Sequence, residues 1–359
     1  MTPEAPAGRA RSLGRVLTGP GGRLALSLAV VVAVFAFALP QIADYSSAWR
    51  LIRAMAPGEV GVLVAVGIVN LLSYAALWVA GLPGLRWRDA VMVEETSTMV
   101  SNTVPGGFAF GVGTIAAMYT SVGHAPGVIA RAVAVTGIWN NLVKLAAPVV
   151  AVVALTATGD ATAGLASAAW IGLAALLLAV GVLVLAVHSA HVARALGRGA
   201  QAVAAPVLRA LHRGAPHDWA DSADHFRAES ETLVRHRWLY LTVAAVGSHG
   251  MLFVVLLTAL RFVGSDVSWP RVLAVFALTR LVTLVPITPG AVGVAELSYV
   301  AGLTAVGVPA AEAAGAVLVF RFLTWLLPIP VGAVCWLLWR RRAGRHARDG
   351  IPQLSAATP

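Results

Sequence analysis

The sequence predicts an all-α polytopic membrane protein, with about six full spans and two re-entrant helical hairpins arranged as an inverted repeat. Three observations predict it. Of 359 residues, 58% are hydrophobic and only 12% charged, and the mean hydropathy is +0.81; a soluble domain needs about a quarter charged residues. Apolar runs at 24–39, 60–80, 165–187 and 239–260 approach or pass the roughly 18–20 residues that cross a bilayer core. Two further apolar stretches are each interrupted by a Pro-Gly break and resemble one another.

In order, residues 1–22 are basic, Pro- and Gly-rich, and read as a disordered cytoplasmic N-terminus. The first membrane half is 23–187, with spans at about 23–40, 59–80, 128–156 and 164–187. The first run ends in Pro40-Gln41-Ile42 instead of a small-x-small cleavage site, so it reads as a retained span. Residues 188–237 carry seven arginines among apolar residues and read as a basic cytoplasmic linker with one or two interfacial helices. The second membrane half is 238–339, with spans at about 238–262 and 312–338, and a basic tail fills 340–359.

Short pieces at 89–104 and 108–122 meet at Pro105-Gly106-Gly107; pieces at 271–285 and 291–306 meet at Pro286 and Pro289-Gly290. About 15 residues make about 22 Å of helix, short for a ~30 Å core. Two readings fit: re-entrant hairpins sheltered by protein, or pairs of tilted spans.

The two broken segments align without gaps at an offset of 184, with Pro105-Gly106 on Pro289-Gly290 and Thr120, Val122 and Gly123 on Thr304, Val306 and Gly307. Three crossings separate equivalent points, or five if the pairs span. Both numbers are odd, so the halves are inverted, as in many transporters.

The net charge of +10 sits between spans, as the positive-inside rule expects, and no basic-aromatic patch suggests nucleic acid. Arg86, Arg88, the linker and the tail fall inside; Arg50, Arg53, Arg271 and the turn at Asp160 fall outside. Both termini are then cytoplasmic in a bacterial inner membrane. Trp49, Trp78, Trp87, Trp170, Trp238, Trp269 and Trp339 fall near span ends, as an aromatic belt.

Ionisable residues in membrane segments are functional candidates: Glu94, Glu95 and Lys144 in the first half, Arg280, Glu296 and Arg321 in the second. They read either as structural ion pairs holding the halves together or as a headgroup path. In the path, Arg280, Lys144 and Arg321 hold a phosphate, and Glu296 or Glu95 neutralises them when it is empty, or binds a basic headgroup or a proton. Asn140 shares a helix face with Lys144, with Asn141 beside it, and Asn102 shares one with Glu95. Pro105, Gly106, Gly107, Pro289, Gly290 and Gly293 either start short helices whose free N–H groups favour anions or serve tight turning alone.

Cys335 is the only cysteine, so no intrachain disulfide or Cys-based zinc site forms. His217, Asp221 and His225 at four-residue spacing read as a solvated helix face before a metal site. His249 reads as a packing residue. Gly107-x-x-x-Gly111 and Gly123-x-x-x-Gly127 read as packing motifs, and Gly111-x-Gly113 lacks the setting of a dinucleotide loop. No P-loop or catalytic motif is present, and neither a catalytic residue nor a cofactor is expected.

Pro289-Gly290-Ala291-Val292-Gly293-Val294-Ala295-Glu296, followed by Gly307-Val308-Pro309 and Val319-Phe320-Arg321-Phe322, resembles the transmembrane region of lysylphosphatidylglycerol synthases and the stand-alone flippase-like membrane proteins related to them. Asn102 to Gly107 and Gly137 to Pro148 are similar to actinobacterial members, although Ala109-Phe110 replaces the Gly-Glu found there in many others. The resemblance covers about 20–340. It implies movement of a phospholipid or polyprenyl-linked lipid between leaflets, with membrane lipids as partners. It does not imply lipid synthesis, because nothing after Arg340 is long enough for the aminoacyl-transferase domain. An enzyme acting on a lipid phosphate, a scaffold recruiting a partner protein through 188–237, and a small-solute transporter remain the alternatives.

Overall fold

A computed structural model describes residues 45–104, 107–160, 163–210, 219–284 and 289–348. The expected first span at 23–40, the N-terminal segment, Pro105, Gly106, His217, Pro286 and the end of the tail lie outside the described residues. Every regular element among those described is helical: α1 (Tyr45–Arg53), α2 (Pro57–Gly81), α3 (Trp87–Thr103), α4 (Gly107–Ser121), α5 (Pro126–Ala157), α6 (Ala163–His188), α7 (Ala190–Ala210), α8 (Trp219–Phe262), α9 (Trp269–Val282), α10 (Val294–Ala305), α11 (Ala310–Arg321) and α12 (Pro328–Arg348).

Four helical stretches are long and apolar enough to cross a membrane: 57–81, 126–157, 219–262 and 310–342, or five if a bent pair at 176–199 counts as one. Between 22% and 44% of their most apolar windows is buried. Val62, Ile68, Leu177, Leu178, Val243 and Val246 point outward. So wide an apolar exterior suits lipid and not water. Trp49, Trp87, Trp238 and Trp269 are about half exposed near helix ends, as a belt requires. Trp78 and Trp339 correct that expectation: both turn inward, each 7% exposed, and donate to Glu94 Oε2 and Ser121 Oγ. An indole N–H that finds a buried acceptor need not seek the interface.

The linker differs from its compositional outline. After His188 the chain bends by 114°, and α7 then packs back along the start of α8. Gly197 permits this, since a Cβ there would collide with the Trp219 carbonyl. Arg194 and Arg227 both bond Asp224, at 2.7 and 2.8 Å. These bonds, Arg227's first, hold the Asp224 carboxyl below its ordinary range. The boundary at 237/238 falls inside α8. No proline interrupts its 44 residues, so the helix runs for about 66 Å, well beyond a ~30 Å core. The change at Trp238 is one of composition, from a charged stretch to a lipid-facing one.

Tertiary contacts sort the helix ends. At one end Asp160, after α5, accepts from Ser268 Oγ at 2.8 Å and from Arg271 at 2.6 Å. The Ser268 hydrogen bond first, then Arg271, holds its carboxyl below the usual carboxylate range. At the other end Arg131 bonds the Glu229 carbonyl, Arg237 bonds the Val79 carbonyl and Arg342 pairs with Asp89. The α3–α4 pair has both outer ends at this second end, where Asp89 meets Arg342 and Ser121 meets Trp339. Its tip reaches inward to Trp325, whose carbonyl accepts from Asn102 Nδ2 at 3.1 Å. The α9–α10 pair starts near Asp160, and its tip, a 3₁₀ turn at Pro289–Ala291, packs against α3. The two tips therefore meet.

The backbone repeats where the sequence does. Gly123 N–H donates to the Thr120 carbonyl and His124 N–H to that of Tyr119; Gly307 donates to Thr304 and Val308 to Leu303. Both glycines are left-handed, at φ +93° and +98°, which L residues seldom adopt. These helix-ending motifs lie at the same offset of 184, and a new helix opens three residues later in each.

Packing fixes α3 against α12. A Cβ at Gly332 would run into the Glu95 carbonyl, and Met99 Cβ would lie at 2.6 Å. A Cβ at Gly113 meets nothing within 4 Å. Gly332→Ala is expected to lower stability by about 1–3 kcal/mol, the usual cost of overpacking, and Gly113→Ala to leave it unchanged or higher. Thermal unfolding of both variants in detergent checks this.

Candidate functional site

The site begins at the second tip. After α9 the chain turns through Gly290 (φ +57°), Ala291 (φ +54°) and Gly293 (φ +86°) before α10 starts. Gly290 is required twice, because a Cβ there would also strike the Trp325 indole nitrogen. Such a turn, packed inside the helical domain, needs partners for its backbone, and two side chains provide them. Glu296 Oε2 accepts from Gly293 N–H at 2.6 Å, and Arg321 Nη2 donates to the Gly290 carbonyl at 2.9 Å. The two side chains bond each other, Arg321 Nε to Glu296 Oε1 at 2.5 Å. Their side chains are 12% and 1% exposed. Trp325 lies 5.6 Å from the Arg321 guanidinium as a cation–π partner.

This arrangement bears on two expectations. The N-terminus of α10 is already capped by Glu296, an acid from its own first turn, so its N–H group at Gly293 is committed. Glu296–Arg321 is also an ion pair inside the second half. Arg280, Lys144, Glu94 and Glu95 make no ion pair within 4 Å among the described residues. Among the described residues, the one ion pair that these six candidates make lies within the second half; the pairs that link the first half to the second half or the tail, Asp160 with Arg271 and Asp89 with Arg342, lie at the helix ends.

Arg280, near the end of α9, and Lys144, inside α5, come from different halves, and α9 packs on α5. The two cations are within electrostatic reach of each other and of His249. His249 is 4% exposed on α8. Its Nδ1 donates to the Ala245 carbonyl at 3.1 Å, which leaves Nε2 to face Arg280 Nη2 at 3.4 Å. A ring that donates through Nδ1 and accepts at Nε2 is neutral. Arg280 Nε is buried with no hydrogen-bond partner.

A third group lies on α3. Glu94 accepts from Trp78 Nε1 at 2.5 Å and from Thr98 Oγ1 at 3.5 Å. Glu95 is 3% exposed, and its Oε2 has no partner. Two tyrosines lie within the field of these groups. Tyr299 lies within electrostatic reach of Arg280, Arg321 and Glu296, and Tyr74 within reach of Arg280, Glu94 and Glu95.

The predicted residues therefore gather unevenly. Asn102, Gly290, Gly293, Glu296 and Arg321 gather at the tips; Arg280 and Lys144 lie on packed helices, within electrostatic reach of each other. Asn141 is exposed and Asn140 half-buried on α5, and neither bonds the other site residues. Gly107 packs on the Ser101 backbone, which a Cβ would strike, and the side chain of Pro289 is not described. His249, Tyr74, Trp78 and Trp325 join the site without having been expected there. Trp325 had a readable signal, one helical turn after Arg321. Among the described residues no group of three or more His, Cys, Asp or Glu is placed to hold a metal.

The family model of the lysylphosphatidylglycerol synthase TM region matches residues 24–332. The chain belongs to that family. It is a multi-pass membrane protein, and the family ties it to the handling of membrane lipids. No curated protein matches it.

Breaking the tip clamp leaves a buried charge. Glu296→Gln is expected to cost about 3–5 kcal/mol, the usual penalty for one partner of a buried pair. Asn140→Ala, whose side chain bonds nothing described, is expected to cost under about 1 kcal/mol. Equal unfolding midpoints in detergent for the two variants would contradict the clamp.

Proposed function

We propose that the protein moves a lipid with an anionic headgroup, a phospholipid or a polyprenyl-linked lipid, between the leaflets of the bacterial cytoplasmic membrane. The observation that carries this is the placement of Arg280 and Lys144. The two cations, from different halves, lie on helices that pack together, within electrostatic reach of each other, and neither makes an ion pair within 4 Å among the described residues. Unpaired charge at that depth is costly, and a phosphate would offset it. Arg280 has Nε free to donate beside Nη2, and an arginine fork suits phosphate oxygens. Lys144 adds a point charge.

The hairpins support the same reading. Each pair is re-entrant in this account. The α3 and α4 helices, of 17 and 15 residues, make about 25 and 22 Å, and both outer ends lie at one end of the molecule. The second hairpin enters from the opposite end. The matching turns at Gly123 and Gly307 support an inverted repeat, and tips that meet inside protein are what broken helices in transporters require. The headgroup path runs from Arg280 and Lys144 past Tyr74 and Tyr299. Arg321 and Glu296 act there as the clamp that shapes the tip. Both termini are cytoplasmic, with the α7–α8 arm on that side.

The test is a proteoliposome assay with headgroup-labelled phosphatidylglycerol and dithionite quenching. Wild-type protein is expected to expose inner-leaflet lipid, and Arg280→Gln, matched for folding by its melting curve, to slow exposure about tenfold or more, as expected for losing a charged hydrogen-bond partner. Wild-type rates in a folded Arg280→Gln protein would overturn the role of this site.

A further inference from the structure

Packing alone does not account for His249. It lies on the buried face of α8, where Ala245, His249, Leu252 and Leu256 follow one another at helical spacing. Ala245 belongs to one apolar cluster of the core, and Leu252 and Leu256 belong to another. His249, 4% exposed, stands between them. An apolar side chain there would join the two clusters. An imidazole in the same place has two ring nitrogens to satisfy, and the fold provides a partner for each.

The two partners decide the state of the ring. Nδ1 lies 3.1 Å from the Ala245 carbonyl oxygen, which only accepts, so Nδ1 carries the proton. Nε2 lies 3.4 Å from Arg280 Nη2, which only donates, so Nε2 presents its lone pair. A second proton on the ring would set one N–H against another. Among the described residues His249 is the one side chain that hydrogen-bonds the Arg280 guanidinium.

The chemistry of that partner matters. A guanidinium is planar and rigid, so holding one corner orients its other donors. A carboxylate could hold it as well, and Glu296 holds Arg321 in that way, but a carboxylate also neutralises the charge and competes with an anion. A neutral imidazole orients the arginine and leaves its charge whole. Arg280 Nε, buried with no hydrogen-bond partner, and the Nη2 hydrogen not given to His249 then remain as donors.

We propose that His249 is a positioning residue of the anion site: its Nε2 accepts from Arg280 Nη2 and fixes the plane of the guanidinium, so that the remaining donors meet a headgroup phosphate with the full positive charge behind them. This rests on the proposed headgroup path. It assigns His249 no contact with the lipid itself. The work is divided between two helices, α9 carrying the cation and α8 the neutral group that orients it.

The experiment has two arms on full-length protein. The first is solid-state nitrogen NMR of histidine-labelled protein in phosphatidylcholine vesicles, with the His249 signals assigned by their loss in His249→Phe. At neutral pH a protonated Nδ1 and a bare, hydrogen-bonded Nε2 are expected, and in Arg280→Leu the Nε2 resonance is expected to move to that of a nitrogen with no donor. The second is the rise in melting temperature that phosphatidylglycerol gives over phosphatidylcholine in detergent, which reads binding. His249→Phe keeps a ring without its nitrogens and is expected to need about tenfold more phosphatidylglycerol for the same rise, the loss of one hydrogen bond to a charged group. His249→Gln can place its amide oxygen where Nε2 accepts, and is expected to recover most of that loss. A proton on Nε2, an Nε2 resonance indifferent to Arg280→Leu, or a rise that is absent in wild type or equal in wild type and His249→Phe would overturn the proposal. Equal losses in His249→Phe and His249→Gln would overturn it too, because shape and not an acceptor would then be what the site needs. Failure of the translocation reading is distinct: it appears as no dithionite exposure while both arms give the expected results.

Discussion

The constraint on which the rest of this structure depends is the need to satisfy backbone polar groups where a helix breaks inside a membrane. Gly290, Ala291 and Gly293 take left-handed conformations between α9 and α10, which opens N–H and carbonyl groups that lipid cannot serve. Glu296 answers the Gly293 N–H, Arg321 answers the Gly290 carbonyl, and each neutralises the other. Because the clamp is internally paired, it positions the tip without using Arg280 or Lys144. Those two cations are left with no acid partner within 4 Å among the described residues, and Arg280 Nη2 faces His249 Nε2.

The meeting of the tips follows from small residues. Gly290 lets the Trp325 indole lie against the turn, Gly332 lets α12 lie against the α3 backbone, and Gly107 lets α4 fold back on Ser101. With each close approach the polar residues of one half come nearer those of the other: Asn102 reaches Trp325, and Tyr74 comes within the field of Arg280. Six buried side-chain polar atoms among the described residues have no hydrogen-bond partner: Asn70 Oδ1, Glu95 Oε2, Tyr119 Oη, Ser230 Oγ, Arg280 Nε and Trp325 Nε1. Buried polar atoms of this kind are uncommon in a core made only for stability.

Much of the class was legible in the sequence, because hydropathy and the Pro-Gly breaks depend on local composition alone. The repeat was legible at Thr120 to Gly123 and Thr304 to Gly307, since a left-handed helix end demands glycine. Other features depend on distant contacts. Nothing in the run around Trp238 marks that α8 began at Trp219, because a charged helix and an apolar one share the same local preferences. The pairing of Arg321 with Glu296 rather than with a ligand required the clamp geometry, 25 residues apart in sequence. His249 read as packing and does bond its own helix, but its second nitrogen faces Arg280, a contact between α8 and α9 that no spacing encodes. Trp78 and Trp339 read as belt residues because their positions near span ends are right; only tertiary structure shows acceptors behind them.

The central claim is that two hairpins enter from opposite faces and meet inside. It is tested most directly by side-specific labelling of equivalent turns. With Cys335 replaced by serine, single cysteines at Ser121 and Ala305, which are related by the 184-residue offset and both exposed, are treated with a membrane-impermeant maleimide in sealed right-side-out and inside-out vesicles. The account predicts that Ser121→Cys labels only from the cytoplasmic face and Ala305→Cys only from the opposite one. Labelling of both from the same face would contradict it.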